Sequence, residues 1–263
     1  MMVITFGQGI GLALMTAIVG IDFWLESFFI FRPIIVCTLA GFILGDLQLG
    51  LMAGGITELA FAGLTPAGGT QPPNPILAGV MTVVLAYTTK VEATAAMALS
   101  LPFSFLMQYV ILFCYSSFSL FMKGADRAAE EADTDKIVRI NIICTCIITF
   151  LYALVVFLSA YIAQDAMKAL VTAMPEWLTH AFEVAGGILP AVGFAMLLKV
   201  MLKREFMPYL LIGFVISCFL TYSNLLPVAI VGVAFALMTY NTEKGKSVMK
   251  TVSVVEEDDE DGI

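Results

Sequence analysis

Histidine is nearly absent from this chain: His180 is the only one in 263 residues. Charge is scarce too, at 13% of residues, and Arg32 and Lys90 are the only basic side chains before position 120. No two of the five cysteines (37, 114, 144, 146 and 218) stand in a CxxC pair. A single histidine and scattered thiols argue against a Cys/His metal centre, a disulfide framework and a phosphohistidine centre. The cysteines are expected to act as small buried hydrophobes, and His180, close to Trp177, as an interfacial side chain. No phosphate-cradling P-loop and no kinase signature is present. No cofactor is implied and no nucleic-acid partner is expected. No lysine or arginine precedes the first apolar segment, residues 3–21, and no small-residue cleavage site follows. That segment is therefore expected to be retained, not removed as a signal peptide.

What the chain has in abundance is apolar sequence. It is 60% hydrophobic, with a mean hydropathy of +0.96, well above the apolar share of soluble domains. The fold class expected is an all-α polytopic membrane protein of transmembrane helices with broken or re-entrant helical hairpins. The net charge of −8 says little about partners, because six of the acids form the run Glu256–Asp261. Residues 241–263 are expected to be a solvated, disordered acidic tail. Residues 1–240 are expected to form one membrane domain. Its first half is 1–122, a polar connector spans 123–139, and a second half, 140–240, ends in short paired arms over 208–240. Asp22-Phe23-Trp24-Leu25-Glu26 breaks the first apolar run and is expected to turn at headgroup level. Residues 165–184 are expected to be an amphipathic interfacial segment broken at Pro175. Basic clusters at Lys199, Lys203, Arg204 and at Lys244, Lys246, Lys250 place the C-terminus in the cytoplasm by the positive-inside rule; charge alone leaves the N-terminal side open.

One stretch organises the rest. Residues 54–79 look like membrane sequence, yet Gly54, Gly55, Gly63, Gly68 and Gly69 and the prolines 66, 72, 73 and 75 all fall within them. Proline removes a backbone donor, and glycine costs about 1 kcal/mol against alanine in a helix interior. The flanking segments, 47–64 and 76–89, are each shorter than the ~20 residues a full span needs. They suit two arms of a broken hairpin, 47–89, meeting near mid-bilayer. Fractured backbone at that depth survives only where protein buries it or where it lines a polar cavity. Glu58 lies in this context, and an intramembrane acid is a candidate functional residue. Arg32 either snorkels to the interface or pairs with a buried acid. Gly186-Gly187 with Pro190 weakly echoes the broken arm in the second half.

These residues resemble a known family. Gly54-Gly55-x-x-Glu58, Pro73-Asn74 after a glycine pair, Arg32-Pro33 followed by Leu39–Asp46, and Glu183–Gly187 are similar to the membrane component IIC of mannose-family sugar phosphotransferase systems. Phe23–Glu26, Thr57–Gly69 and Gln71–Pro75 are most similar to its N-acetylgalactosamine/galactosamine branch. The resemblance implies a transport subunit without its own catalytic centre. It implies an IID membrane partner, a threefold assembly of heterodimers, and soluble IIA and IIB components that carry the phosphoryl group to the sugar at the cytoplasmic face of the bacterial inner membrane. It further implies elevator-type movement. Pro73-Asn74 departs from the Pro-Asp of mannose-type members. An amide both donates and accepts, which favours an acetamido sugar, N-acetylgalactosamine, over galactosamine.

The sugar contacts expected are Glu58, Thr57, Gln71 and Asn74, with Pro73 shaping the site and Arg32 a possible ion-pair partner. Carboxylates and amides hold hydroxyls through hydrogen bonds, and charge-assisted ones are the stronger. For Glu58 the competing reading is a structural acid paired with Arg32 or with backbone amides; for Gln71 and Asn74 it is capping of the broken arms. Two rival functions remain open on this evidence. One is a proton-coupled sugar transporter using Glu58, and the other a mannose- or sorbose-type substrate in the same family.

Overall fold

A computed structural model describes residues 2–64, 72–219 and 226–242. The described residues are mostly helical, with no strand among them. Contacts divide the chain into two units, 1–199 and 200–263.

In the first unit each helix begins and ends where local chemistry says it should. Helix α1 (Phe6–Leu25) opens on a reciprocal cap: Gln8 N–H donates to Thr5 Oγ1, and the Gln8 side chain accepts from the Thr5 amide. Helix α2 (Pro33–Leu44) starts on proline and stops at Gly45, whose φ of +83° only glycine adopts cheaply. Asp46 caps α3 (Leu47–Phe61) by accepting from Leu49 N at 3.0 Å. Asn74 and Pro75 open α4 (Pro75–Thr89). Helix α5 (Ala93–Glu130) runs through Pro102 without stopping, and Asp133 caps α6 (Thr134–Phe157). A π-helical turn (Leu158–Ile162) leads to α7 (Gln164–Ala173), and α8 (Glu176–Met201) follows.

Helix α4 is the centre of this unit. Every residue after Pro75 is buried, and α5, α2 and α3 pack round it. Its threonines turn inward on the helix itself: Thr82, Thr88 and Thr89 donate to the Ala78, Val84 and Leu85 carbonyls. That is how a hydroxyl is buried cheaply. Helices α2 and α3 pair through glycine. A Cβ on Gly41 would lie 2.6 Å from the Gly50 Cα, and one on Gly50 would lie 2.6 Å from the Cys37 carbonyl oxygen. Close backbone approach of this kind is how helices associate in lipid, where burying apolar surface brings no gain.

The ends of the unit follow from the contacts. Phe6 meets Phe157 and Tyr161, and Gln8 Nε2 donates to the Leu44 carbonyl. The start of α1, the end of α6 and the α2–α3 turn therefore share one end. Trp24 meets Tyr115 and Phe118, so α1 finishes toward the end where α5 meets α6. Helix α4 runs antiparallel to α5, Asn74 beside Ser104 and Thr82 beside Ser100.

Among the described residues, four helices are long and apolar enough to cross a membrane: Phe6–Leu25, Ala93–Glu130, Thr134–Ile162 and Glu176–Lys199. Helices α2, α3 and α4 are apolar but shorter. The break between α3 and α4 is bounded by Phe61 and Pro75. Gly54 and Gly55, expected to weaken the arm, lie instead in the middle of regular α3, where Gly54 lets α2 come close. Likewise α8 runs unbroken through Gly186, Gly187 and Pro190. Residues 176–184 belong to it and not to an interfacial segment with α7. Asp22, at the turn expected after α1, is buried. Cys37, Cys114 and Cys144 are buried as expected, whereas Cys146 and Cys218 sit on exposed faces.

The second unit contains a short 3-10 turn (Arg204–Phe206), α9 (Met207–Phe219) and α10 (Leu226–Thr242). Tyr209 and Thr239 join the two helices, their oxygens 3.0 Å apart. Of the acidic tail expected over 241–263, residues 241 and 242 still belong to α10, and the rest lies outside the described residues.

Candidate functional site

A cavity of about 300 Å³ sits at the break. Pro72 and Pro75 line it from the start of α4, and Phe61 and Leu64 from the end of α3. Phe23, Trp24 and Glu26 contribute from the end of α1, Phe29, Phe31, Arg32 and Pro33 from the loop into α2, and Gln108, Ile111 and Tyr115 from α5.

Local chemistry builds each wall. The loop after α1 is held by Asp22, whose two carboxylate oxygens accept from the Phe28 and Ile30 amides, both at 2.7 Å. A buried carboxylate taking two backbone donors is a strong anchor. It presents Phe29 and Phe31 to the cavity, where Phe31 stacks edge-on against Phe23 at 5.0 Å. On α5, Ser100, Ser104, Gln108, Ile111 and Tyr115 recur every three or four residues, so they share one face. The lower part of that stripe meets α4: Thr82 Oγ1 and Ser100 Oγ lie 3.1 Å apart, and Ser104 Oγ donates to the Asn74 carbonyl at 2.6 Å. The upper part, from Gln108 on, faces the cavity.

Glu58 stands behind Arg32. Its Oε1 accepts from Arg32 Nε at 2.7 Å and from Nη2 as well, and its Oε2 accepts from the Ile34 amide at 3.2 Å. Arg32 reaches the cavity and Glu58 does not line it. Thr57 is buried and donates to the Ala53 carbonyl at 2.8 Å, away from the cavity. Asn74 is also fully buried: its Oδ1 caps α4 by accepting from Leu77 N at 3.0 Å, and its Nδ2 donates to Tyr152 Oη at 2.6 Å. Pro73 is half-buried beside the lining Pro72. Gln71 lies outside the described residues. Of the expected residues, then, Arg32 and the proline turn shape the cavity, and Glu58 and Asn74 brace it from behind.

Trp24, Glu26, Gln108 and Tyr115 were not singled out by sequence as contacts. A signal existed for Gln108: Ser100, Ser104 and Gln108 are polar at every fourth position of an otherwise apolar stretch of α5. Chemically, the cavity offers flat aromatic walls with a carboxylate, a guanidinium and an amide at its edge. That combination suits a small polyol ring, whose C–H faces lie on aromatic faces while its hydroxyls find polar groups.

The family model for the sorbose-specific IIC component of phosphotransferase systems matches residues 6–238. The chain belongs to this family. Among curated relatives it is 57% identical to the N-acetylgalactosamine permease IIC component 1 of Escherichia coli (strain K12), over 98% of this chain and 97% of that one. It is 32% identical to the sorbose-specific EIIC component of Klebsiella pneumoniae, over 88% and 87%. Among solved structures, one described as "Structure of membrane protein" aligns with a TM-score of 0.81 at 26% identity, covering 90% of this chain and 96% of that one. A chain of the mannose transporter ManYZ in complex with microcin E492 aligns with a TM-score of 0.56 at 28% identity, covering 91% and 97%. The protein is thus a sugar-specific membrane component, IIC, of the mannose family of phosphotransferase systems. It is a transport subunit of the bacterial membrane that works with other components of its system.

Proposed function

We propose that this IIC component binds N-acetylgalactosamine in the cavity at the α3–α4 break and carries it inward for phosphorylation by partner proteins. The observation that carries the reading is the cavity itself: about 300 Å³, walled by Trp24, Phe31 and Tyr115 and edged by Glu26, Arg32 and Gln108. Its volume is at the lower end of ligand pockets, which run from about 300 to 1,000 Å³. Its apolar walls suit the methyl of an acetamido group. The 57% relative's name supports the same sugar. Asn74 does not supply the preference, because its side chain is buried and already bonded.

The partners we infer are an IID membrane subunit, in a threefold assembly of heterodimers, and soluble IIA and IIB phosphocarriers. The ManYZ neighbour supports a two-subunit membrane unit. So does the apolar surface the chain leaves uncovered, since α9 has no buried residue and few of α8's are buried. The orientation follows from charge. Lys123, Arg127, Lys136 and Arg139 gather where α5 meets α6, the end toward which α1 finishes and the cavity lies. The opposite end of the unit has Lys90 at the close of α4 and Lys168 in α7. The positive-inside rule then sets the α5–α6 turn in the cytoplasm and the start of α1 outside.

The test is uptake of labelled N-acetylgalactosamine by cells carrying all components. The expected product is the sugar phosphate, its formation dependent on IID, and Trp24→Ala should raise the apparent KM at least fivefold. Accumulation of unmodified sugar that an uncoupler collapses would overturn the reading in favour of a proton-coupled carrier. Competition by mannose or sorbose but not by N-acetylgalactosamine would overturn the substrate. The names of the relatives give the proton-coupled alternative no support.

A further inference from the structure

We propose that Tyr152 is a positioning residue for the sugar cavity, acting from a different helix through Asn74. The inference rests on the cavity reading above and extends it to a residue that does not line the cavity. Tyr152 lies near the end of α6 and is, among the described residues, the largest side chain wholly shielded from solvent. Its ring crosses α1 at Gly20, where a Cβ would stand 2.7 Å from the ring carbon Cδ2. The absence of a side chain there lets the phenol pass between α1 and α6, so that its hydroxyl accepts from Asn74 Nδ2 at 2.6 Å.

Asn74 is held from every side. Its Oδ1 caps the first turn of α4, its carbonyl accepts from Ser104 Oγ at 2.6 Å, and its amide donates to the Ser104 carbonyl at 3.3 Å. The residues two before and one after it, Pro72 and Pro75, line the cavity. Prolines have little backbone freedom of their own, so their position is set by what anchors their neighbour. Ser104 is one helical turn below Gln108, and the same bonds therefore set Gln108 opposite the proline turn. Tyr152 fixes the side-chain amide plane. Without it, Nδ2 is a buried donor with no partner, and Asn74 turns to find one. The start of α4, with Pro72 and Pro75, moves with it.

The variant to make is Tyr152→Phe in the full membrane complex, with Tyr109→Phe on the exposed face of α5 as the control for loss of a phenol. Two readouts are needed. Amide exchange over Leu77–Gly79, the first turn of α4, should quicken about fivefold against the rest of α4, as loss of one buried hydrogen bond implies. The KM for labelled N-acetylgalactosamine should rise by a similar factor with Vmax and membrane abundance held. Gly20→Ala, which pushes the ring aside, should reproduce both effects, and combining it with Tyr152→Phe should give less than their product. Unchanged exchange in Tyr152→Phe overturns the proposal. So does faster exchange with unchanged KM, or a fall in abundance and Vmax at constant KM, which is what a purely structural tyrosine gives. Trp24→Ala separates the two claims. If it leaves KM unmoved while Tyr152→Phe shifts exchange and KM, the cavity reading falls and the tie from Tyr152 to the break stands.

Discussion

Arg32 and Glu58 show how one ion pair can be read two ways. Two guanidinium nitrogens converge on a single carboxylate oxygen while the other oxygen takes the Ile34 amide. The acid thereby ties the start of α2 to α3 and aims the arginine at the cavity. Glu58→Gln keeps an acceptor and removes the charge. Because both side chains are part-exposed, the cost should be about 1 kcal/mol, a roughly fivefold weaker apparent affinity in uptake. Arg32→Lys should do worse than the conservative label implies, since a lysine has no planar fork to meet one oxygen from two atoms. Unaltered affinity in both variants would remove the pair from the sugar site. From sequence, Glu58 stood out because acids are rare in apolar runs, and Arg32 was visible as a possible partner. Their order of approach to the cavity was not legible. That depends on which side of α3 faces α2, and a single residue's identity says nothing about direction.

At the scale of helices, the hairpin of α2 and α3 is set by the close approach of Gly41 and Gly50. Gly50→Ala would put a methyl 2.6 Å from the Cys37 carbonyl; the helices must part, at a cost of about 1–3 kcal/mol. Gly55, with nothing within 4 Å of a built Cβ, should accept alanine and gain up to about 1 kcal/mol of helix propensity. Thermal unfolding of the purified complex should therefore separate two glycines five positions apart on one helix, and equal midpoints would refute the packing account. The start of α4 was legible in Asn74-Pro75, and the two short arms in their lengths. The role of Gly54 was not, because glycine loosens an isolated helix and tightens a packed one, and only the partner decides. Pro190 was misleading for a similar reason: lipid has no water to take the freed carbonyl, so a helix there continues where a soluble one would stop. Gln108 escaped notice because a polar stripe becomes meaningful only once α4 is known to lie along it.

For the molecule as a whole, the orientation is open to direct test. In a chain stripped of its native cysteines, a single cysteine at Ala132 should react with an impermeant maleimide only after the cells are opened, and one at Gln48, just after the α2–α3 turn, should react in intact cells. The reverse pattern would invert the topology. In the orientation we propose, what stands between the cavity and the outside is largely α4. Its 15 residues extend about 22 Å at 1.5 Å each, most of a hydrocarbon core of about 30 Å. Its three threonine hydroxyls are taken up by its own carbonyls, and every residue after Pro75 is buried. It serves as an electrical insulator. A membrane crowded with idle copies of this carrier is therefore expected to keep its resting voltage.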